Sequence, residues 1–196
     1  MPAQGNFKAR CYNIDRYGKS KNRCMEVVMD RILFVRAGVK NKLVGSFIEK
    51  GIVAVGWYRL PDLSAVTSAS TIKSMLKNQY PEKIAMSGEP TLHLSEIIHF
   101  VLDARQGDLV ATVDGNKSVL YLGTIAGKYQ YWENSTFSSN GEIFRHILPV
   151  TWKYEVPRSK HGKYSFPQTR LKGKTTYWLS DAAVEDILNA PRTAIC

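Results

Sequence analysis

The chain has 196 residues, 44% of them hydrophobic, and a formal net charge of +10. That is one domain's worth of chain with enough apolar content to close a core without metal or disulfides. Cys11, Cys24 and Cys196 stand near the ends with no C-x-x-C pair, so zinc ribbons and disulfide frameworks are excluded and a reducing, cytoplasmic setting is expected.

The sequence shows no apolar run of about 18 residues, the length a membrane helix needs, and no apolar signal-peptide core near its start. Residues 1–28 carry Lys8, Arg10, Arg16, Lys19, Lys21 and Arg23 against Asp15 and Glu26 and are expected to form a flexible basic arm, with Met25 or Met29 as alternative starts. Residues 29–196 keep a surplus of +6, so the folded part is basic in its own right and suits a polyanion, nucleic acid first. Residues 29–190 are expected as the domain and 191–196 as a tail.

Arg31–Arg36 is apolar and β-rich and predicts a buried strand. Asn41–Lys50 has Leu43, Phe47 and Ile48 at helical spacing, with Gly51 at the stop position. Ile52–Trp57 predicts a second strand, and 60–68 a loop turned by Pro61 and Asp62. A short helix is expected over Ser70–Tyr80, ended by Pro81, then an irregular stretch over 81–90. Thr91–Arg105 puts Leu94, Ile97, Ile98, Val101 and Leu102 on one face, an amphipathic helix that Gly107 stops. Leu109–Val113 and Ser118–Ile125 read as a hairpin through Asp114-Gly115. Tyr129–Trp132 and Phe144–Tyr154 read as further strands, with a polar loop over Glu133–Glu142. Residues 155–176 are basic with little apolar pattern, and Ser180 caps a last helix to about Asn189. The order is β-α-β-α-α-β-β-β-β-α. It predicts an α+β fold, a strongly curved mixed sheet or small barrel flanked by helices.

Four stretches in this order resemble the EVE/YTH-like branch of the PUA-like superfamily. They are Phe34-Val-Arg-Ala-Gly38 before a helix, then Phe47–Trp57 with Leu60-Pro-Asp-Leu-Ser64. The others are the helix ending at Phe100 with Gly107-Asp108-Leu-Val110, and Tyr121–Tyr131. The resemblance implies a small mixed β-barrel that holds one base, often methylated, in an aromatic pocket. It is similar to the N-terminal modified-DNA recognition domains of modification-dependent restriction systems. There a nuclease or a nucleotide-driven motor does the cutting or moving, so a partner of that kind is implied, and RNA is the alternative ligand. No cofactor and no membrane partner are expected.

The resemblance puts the pocket aromatic at Trp57, beside Tyr58, and the base edge at Arg36, Ala37 and Gly38. A ring there offers a stacking face worth roughly 1–3 kcal/mol per base. Arg36 suits a phosphate or solvent equally well. Asn41 suits edge reading through its amide, or a helix N-cap. Tyr129 and Tyr131 share one strand face and Trp132 points to the other, so one face suits the cage and the other the core, and Trp132 is taken as the further wall. Ser87 falls where the family carries its second wall, and Pro90 here departs from that pattern. Lys153, Arg158, Lys160, Lys163, Arg170, Lys172 and Lys174, interleaved with Tyr154, Tyr164, Phe166, Tyr177 and Trp178, suit a groove that tracks phosphates.

Enzyme readings fare poorly. His93, His99, His146 and His161 never pair at i, i+4 and have no cysteine nearby, so no zinc motif forms. Gly173-Lys174-Thr175 lacks the upstream glycine of a phosphate loop, having Gln168 there. No H-x-E…P-C-x-x-C deaminase pattern, G-x-S-x-G elbow or Asp/Glu-x-Lys triplet occurs. Asp108 and Asp114 are the one close carboxylate pair, and turn chemistry accounts for both. A non-catalytic binding module is expected.

Overall fold

The computed structural model describes residues 31–82, 90–158 and 175–195. The basic arm, Ser87, and Lys160, Lys163, Arg170, Lys172 and Lys174 lie outside the described residues.

In chain order the elements are β1 (Ile32–Val35), a 3-10 turn (Val39–Asn41), α1 (Val44–Lys50), β2 (Ile52–Val55), α2 (Ala69–Gln79) and α3 (Pro90–Ile98). α3 runs into a π-helical turn (His99–Asp103) and is followed by β3 (Leu109–Asp114), β4 (Val119–Ile125) and β5 (Gln130–Tyr131). Then come β6 (Ser138–Ser139), β7 (Glu142–Ile143), β8 (His146–Pro157), β9 (Thr176–Trp178), α4 (Asp181–Leu188) and β10 (Thr193–Ala194). The fold is α+β, with a curled, half-barrel mixed sheet and helices on its faces.

The sheet runs β10-β8-β4-β3-β1-β9, with β2 and β5 also pairing with β8. β1 lies parallel to β3 and antiparallel to β9, and the remaining pairs of this sheet are antiparallel. Parallel pairing needs a long crossover, and the chain from α1 to the π-helical turn supplies it.

The continuous apolar run of β1 has a simple cause. Leu33 and Val35 enter the larger core with Phe47, Val53, Leu76, Phe100 and Ile147, under the helices that precede β3. Ile32 and Phe34 point the other way, into a second core with Ala111, Val113, Leu120, Leu122, Val184 and Ile187, under α4. A strand covered on both faces reads as unbroken hydrophobicity rather than alternation.

The curl is set at β4 and β8, where the register shifts between Leu122 and Gly123 and Lys153 is the extra residue. A Cβ on Gly123 would lie 2.8 Å from the Thr151 carbonyl oxygen and 3.0 Å from the Trp152 ring, so only glycine fits at this bulge.

Several boundaries differ from expectation. α1 starts at Val44, not Asn41, because residues 40 and 41 are left-handed, at φ 55° and 57°, and cannot continue into a right-handed turn. Ser180 occupies the N-cap of α4 but its side chain makes no capping bond, whereas Ser68 caps α2 by accepting from the Ser70 N–H at 3.2 Å. The loop over Glu133–Glu142 contains the β6–β7 hairpin, the basic stretch ends in β9, and the last residues hold β10, paired with Tyr154 and Glu155. Among the described residues, no helix is long and apolar enough to cross a membrane.

Candidate nucleic-acid interface

Two corners of the backbone meet at one hairpin. The first follows β1, where Gly38 at φ 71° turns the chain and the Leu43 N–H returns to the Ala37 carbonyl at 3.0 Å. The second follows β2, where Trp57 sits at φ 64°, a left-handed conformation that costs a non-glycine residue roughly 1–2 kcal/mol. Strain of this kind persists only where neighbours hold it, and it clusters at functional sites.

The β6–β7 hairpin does the holding. The Ser139 hydroxyl accepts from the Val39 N–H at 3.2 Å, and the Glu142 carboxylate accepts from the Trp57 N–H at 2.9 Å. Ser139 and Glu142 are cross-strand partners. Both approaches are tight: a side chain on Gly38 would press on Ser139, and one on Gly56 would run into Glu142.

Behind Trp57 lies a second set of bonds. His146 is fully buried, and its Nε2–H donates to the Trp57 carbonyl at 3.3 Å. A carbonyl only accepts, so Nε2 carries the hydrogen and Nδ1 accepts from the Tyr129 hydroxyl at 2.7 Å. That hydroxyl in turn accepts from the Leu63 N–H at 3.3 Å. Burial pushes the His146 pKa down from 6.5 to about 4, against a smaller opposing pull from the Trp57 bond. Burial also raises the Tyr129 hydroxyl. Tyr129 and Tyr131 share a strand face, as alternation predicts, and both rings meet the His146 imidazole.

Trp57 itself is 5% exposed and belongs to the larger core, its ring meeting the Tyr80 edge at a centroid distance of 5.2 Å. Tyr80 is buried, burial raises its pKa, and its hydroxyl accepts from the Arg59 N–H at 2.8 Å. Arg59 reaches the Gln79 carbonyl and the Glu82 carboxylate, which fixes the end of α2 against the strand that Trp57 leaves. Tyr58 is half-buried beside it, with the Arg59 guanidinium 5.9 Å from its ring centre.

The hairpin therefore joins Ala37, Gly38 and Asn41 at one corner to Trp57 and Tyr58 at the other. Asn41 is partly buried, and its Oδ1 is buried with no partner among the described residues. A buried acceptor left open costs about 1–3 kcal/mol, so it marks a place where a donor is missing.

Arg36 belongs elsewhere. Its charge, together with that of Arg158, pulls down the Tyr177 hydroxyl, which burial raises more strongly, to about 12. Tyr177 stacks on Phe34, on the α4 face of the sheet and away from the core that holds Trp57. Arg36 thus groups with Arg158, whose own pKa burial lowers, rather than with Trp57. Lys153 is exposed at the bulge. Trp132 packs on Phe137 at 5.9 Å and donates to the Gln130 side chain at 3.1 Å.

The carboxylates that drew attention in the sequence do turn chemistry. Asp114 accepts from the Asn116 N–H at 2.8 Å, and Asp108 from the Arg105 N–H at 2.8 Å and the Arg31 guanidinium at 2.7 Å. Among the described residues, no three of His, Cys, Asp and Glu gather as a metal site would require.

Sequence reasoning missed Ser139, Glu142 and His146. One signal was present: Asn140-Gly141, both at positive φ (55° and 76°), is the dipeptide of a tight hairpin turn.

No curated protein and no solved structure matches the chain. The family model described as a domain of unknown function, DUF8426, matches residues 35–180, and the chain belongs to that family.

Proposed function

We propose that the chain is a PUA-like module of the EVE/YTH type that binds DNA and reads one modified base, a methylated one, at the joined corners of β1 and β2. It serves as the targeting part of a restriction or defence system, with cleavage or translocation left to a partner chain. The observation that carries the reading is the pair of left-handed corners pinned to one hairpin. They put an open amide acceptor, Asn41 Oδ1, on the corner that the hairpin joins to a strained Trp-Tyr step.

An acceptor of this kind accepts a hydrogen bond from an exocyclic amino group, which favours adenine or cytosine over thymine. Trp57 is buried, so base entry displaces what covers its ring, and stacking offsets the cost of extrusion. Basic residues, Lys153 among them, supply the sequence-independent attraction to phosphate.

The test is binding to matched duplexes carrying adenine, N6-methyladenine, cytosine, 5-methylcytosine or 5-hydroxymethylcytosine, and to the matching RNA, across a salt series. A preference for one modified duplex that survives raised salt is expected. Equal and steeply salt-dependent binding to all of them overturns the reading, and an RNA preference moves it to the RNA branch. Trp57→Ala would cost about 3–5 kcal/mol of stability as a core truncation. Trp57→Phe is therefore the informative variant: selectivity should fall several-fold while the protein stays folded.

A further inference from the structure

Among the described residues, Val39 is the one large hydrophobic side chain that stands exposed, at 47%. A lone exposed valine means little by itself. This one has an unusual mounting. It follows Gly38 at φ 71° and precedes Lys40 and Asn41, both left-handed, so it stands at the start of a sharply turned segment. Its N–H is tied to Ser139, and the turn is closed by the Leu43-to-Ala37 bond and by Lys42 N–H donating to the Val39 carbonyl at 3.3 Å. The side chain is β-branched and stiff. Exposed Lys40 and Lys42 follow it, and no acidic residue lies between Arg36 and Ile48.

A rigid apolar tip beside two cations has no use against water, but it matches the interior of a base stack edged by phosphates. Apolar wedges that enter a duplex at an opened step have this construction. The tip is also correctly sited. Val39 and Trp57 each hang by a backbone N–H from Ser139 and Glu142, which face each other across the hairpin. Cross-strand neighbours lie about 5 Å apart. The two backbone points are thus fastened to the same turn of the hairpin.

We infer that Val39 is a wedge that enters double-stranded nucleic acid and fills the gap left by the extruded base, with Lys40 and Lys42 on the flanking phosphates. This inference rests on the base-reading proposal and adds the element that makes extrusion from a duplex affordable. A wedge matters only where there is a stack to mend. Its signature is therefore a loss confined to duplex: a single strand presents its base without leaving a gap.

The experiment measures equilibrium binding of wild type, Val39→Ser, Val39→Leu and Trp57→Phe. The probes are duplexes carrying N6-methyladenine, 5-methylcytosine or 5-hydroxymethylcytosine, and the corresponding single strands. Val39→Ser should weaken binding to the selected duplex about tenfold, on the order of 1.4 kcal/mol, and leave single-strand binding within a factor of two. Val39→Leu should restore duplex binding. Trp57→Phe should weaken both forms alike. Equal losses on duplex and single strand for Val39→Ser, or no loss on either, overturn the wedge while leaving base reading intact. If wild type selects none of the modified bases in either form, base reading fails, and the wedge fails with it.

Discussion

His146 can hold Tyr129 and Trp57 together only while it is neutral, because Nδ1 must accept and Nε2 must donate. Its folded-state pKa, about 4, lies below the ordinary 6.5, so the unfolded chain takes up the proton first as pH falls. The contribution is fully present above pH 6.5 and is lost between about 6.5 and 4, amounting to about 3 kcal/mol. Urea titrations at about pH 7.5, 5.5 and 3.5 should show stability falling, and His146→Gln should flatten the fall. An unchanged slope in the variant would remove His146 as its source. Tyr129→Phe should cost about 1–3 kcal/mol at neutral pH, since it strands both the imidazole nitrogen and the Leu63 N–H. The sequence offered no hint of this role. His146 carries no motif, and its partners, Trp57 and Tyr129, lie in two separate connecting segments.

At the scale of elements, what could be read in advance was what neighbours along the chain decide. β1 and β2 announce themselves as short apolar runs, and the α3 face shows helical periodicity. Gly51 ends α1 in the left-handed conformation expected of a stop residue. β6, β7, β9 and β10 were not legible as strands, because two or three residues carry no period and their pairing is set by tertiary contact. The start of α1 was misread for a related reason: helical spacing in Leu43, Phe47 and Ile48 says nothing of the left-handed turn before it, which Ser139 helps to fix from the β6–β7 hairpin. Gly123 is the sharpest test at this scale. Gly123→Ala puts a Cβ against the Thr151 carbonyl and the Trp152 ring, neither of which is a free end that can swing away. A loss of about 1–3 kcal/mol in chemical denaturation is expected. A neutral result would mean the bulge is not what sets the curl.

For the whole molecule, composition and order gave the class, and topology gave the rest. The α+β assignment follows from strands gathered late in the chain after a helical crossover. That β1 lies between β3 and β9 does not, since a parallel pair and a three-residue edge strand leave no local trace. The charge of +10 is likewise a property of the whole chain. On the base-reading proposal, the logarithm of the binding constant should fall linearly with the logarithm of salt, and each cation that meets a phosphate adds about one unit of slope. Lys153→Ala should therefore lower the slope by about 1 with selectivity unchanged; altered selectivity would move Lys153 into the reading site.

β8 has a further consequence. It pairs with β2 and β5 through His146 and Ile147, and with β4 and β10 through Tyr154 and Glu155. A strand bonded on both edges near each end cannot open piecemeal. In heavy water its central amides should exchange only when the entire fold comes apart, and so report the global unfolding free energy. The amides of the β6–β7 hairpin, whose two-residue strands pair only with each other, should exchange by a local excursion at lower cost. Since that hairpin pins Val39 and Trp57, the protein combines an almost unbreakable spine with a fastening that can let go by itself.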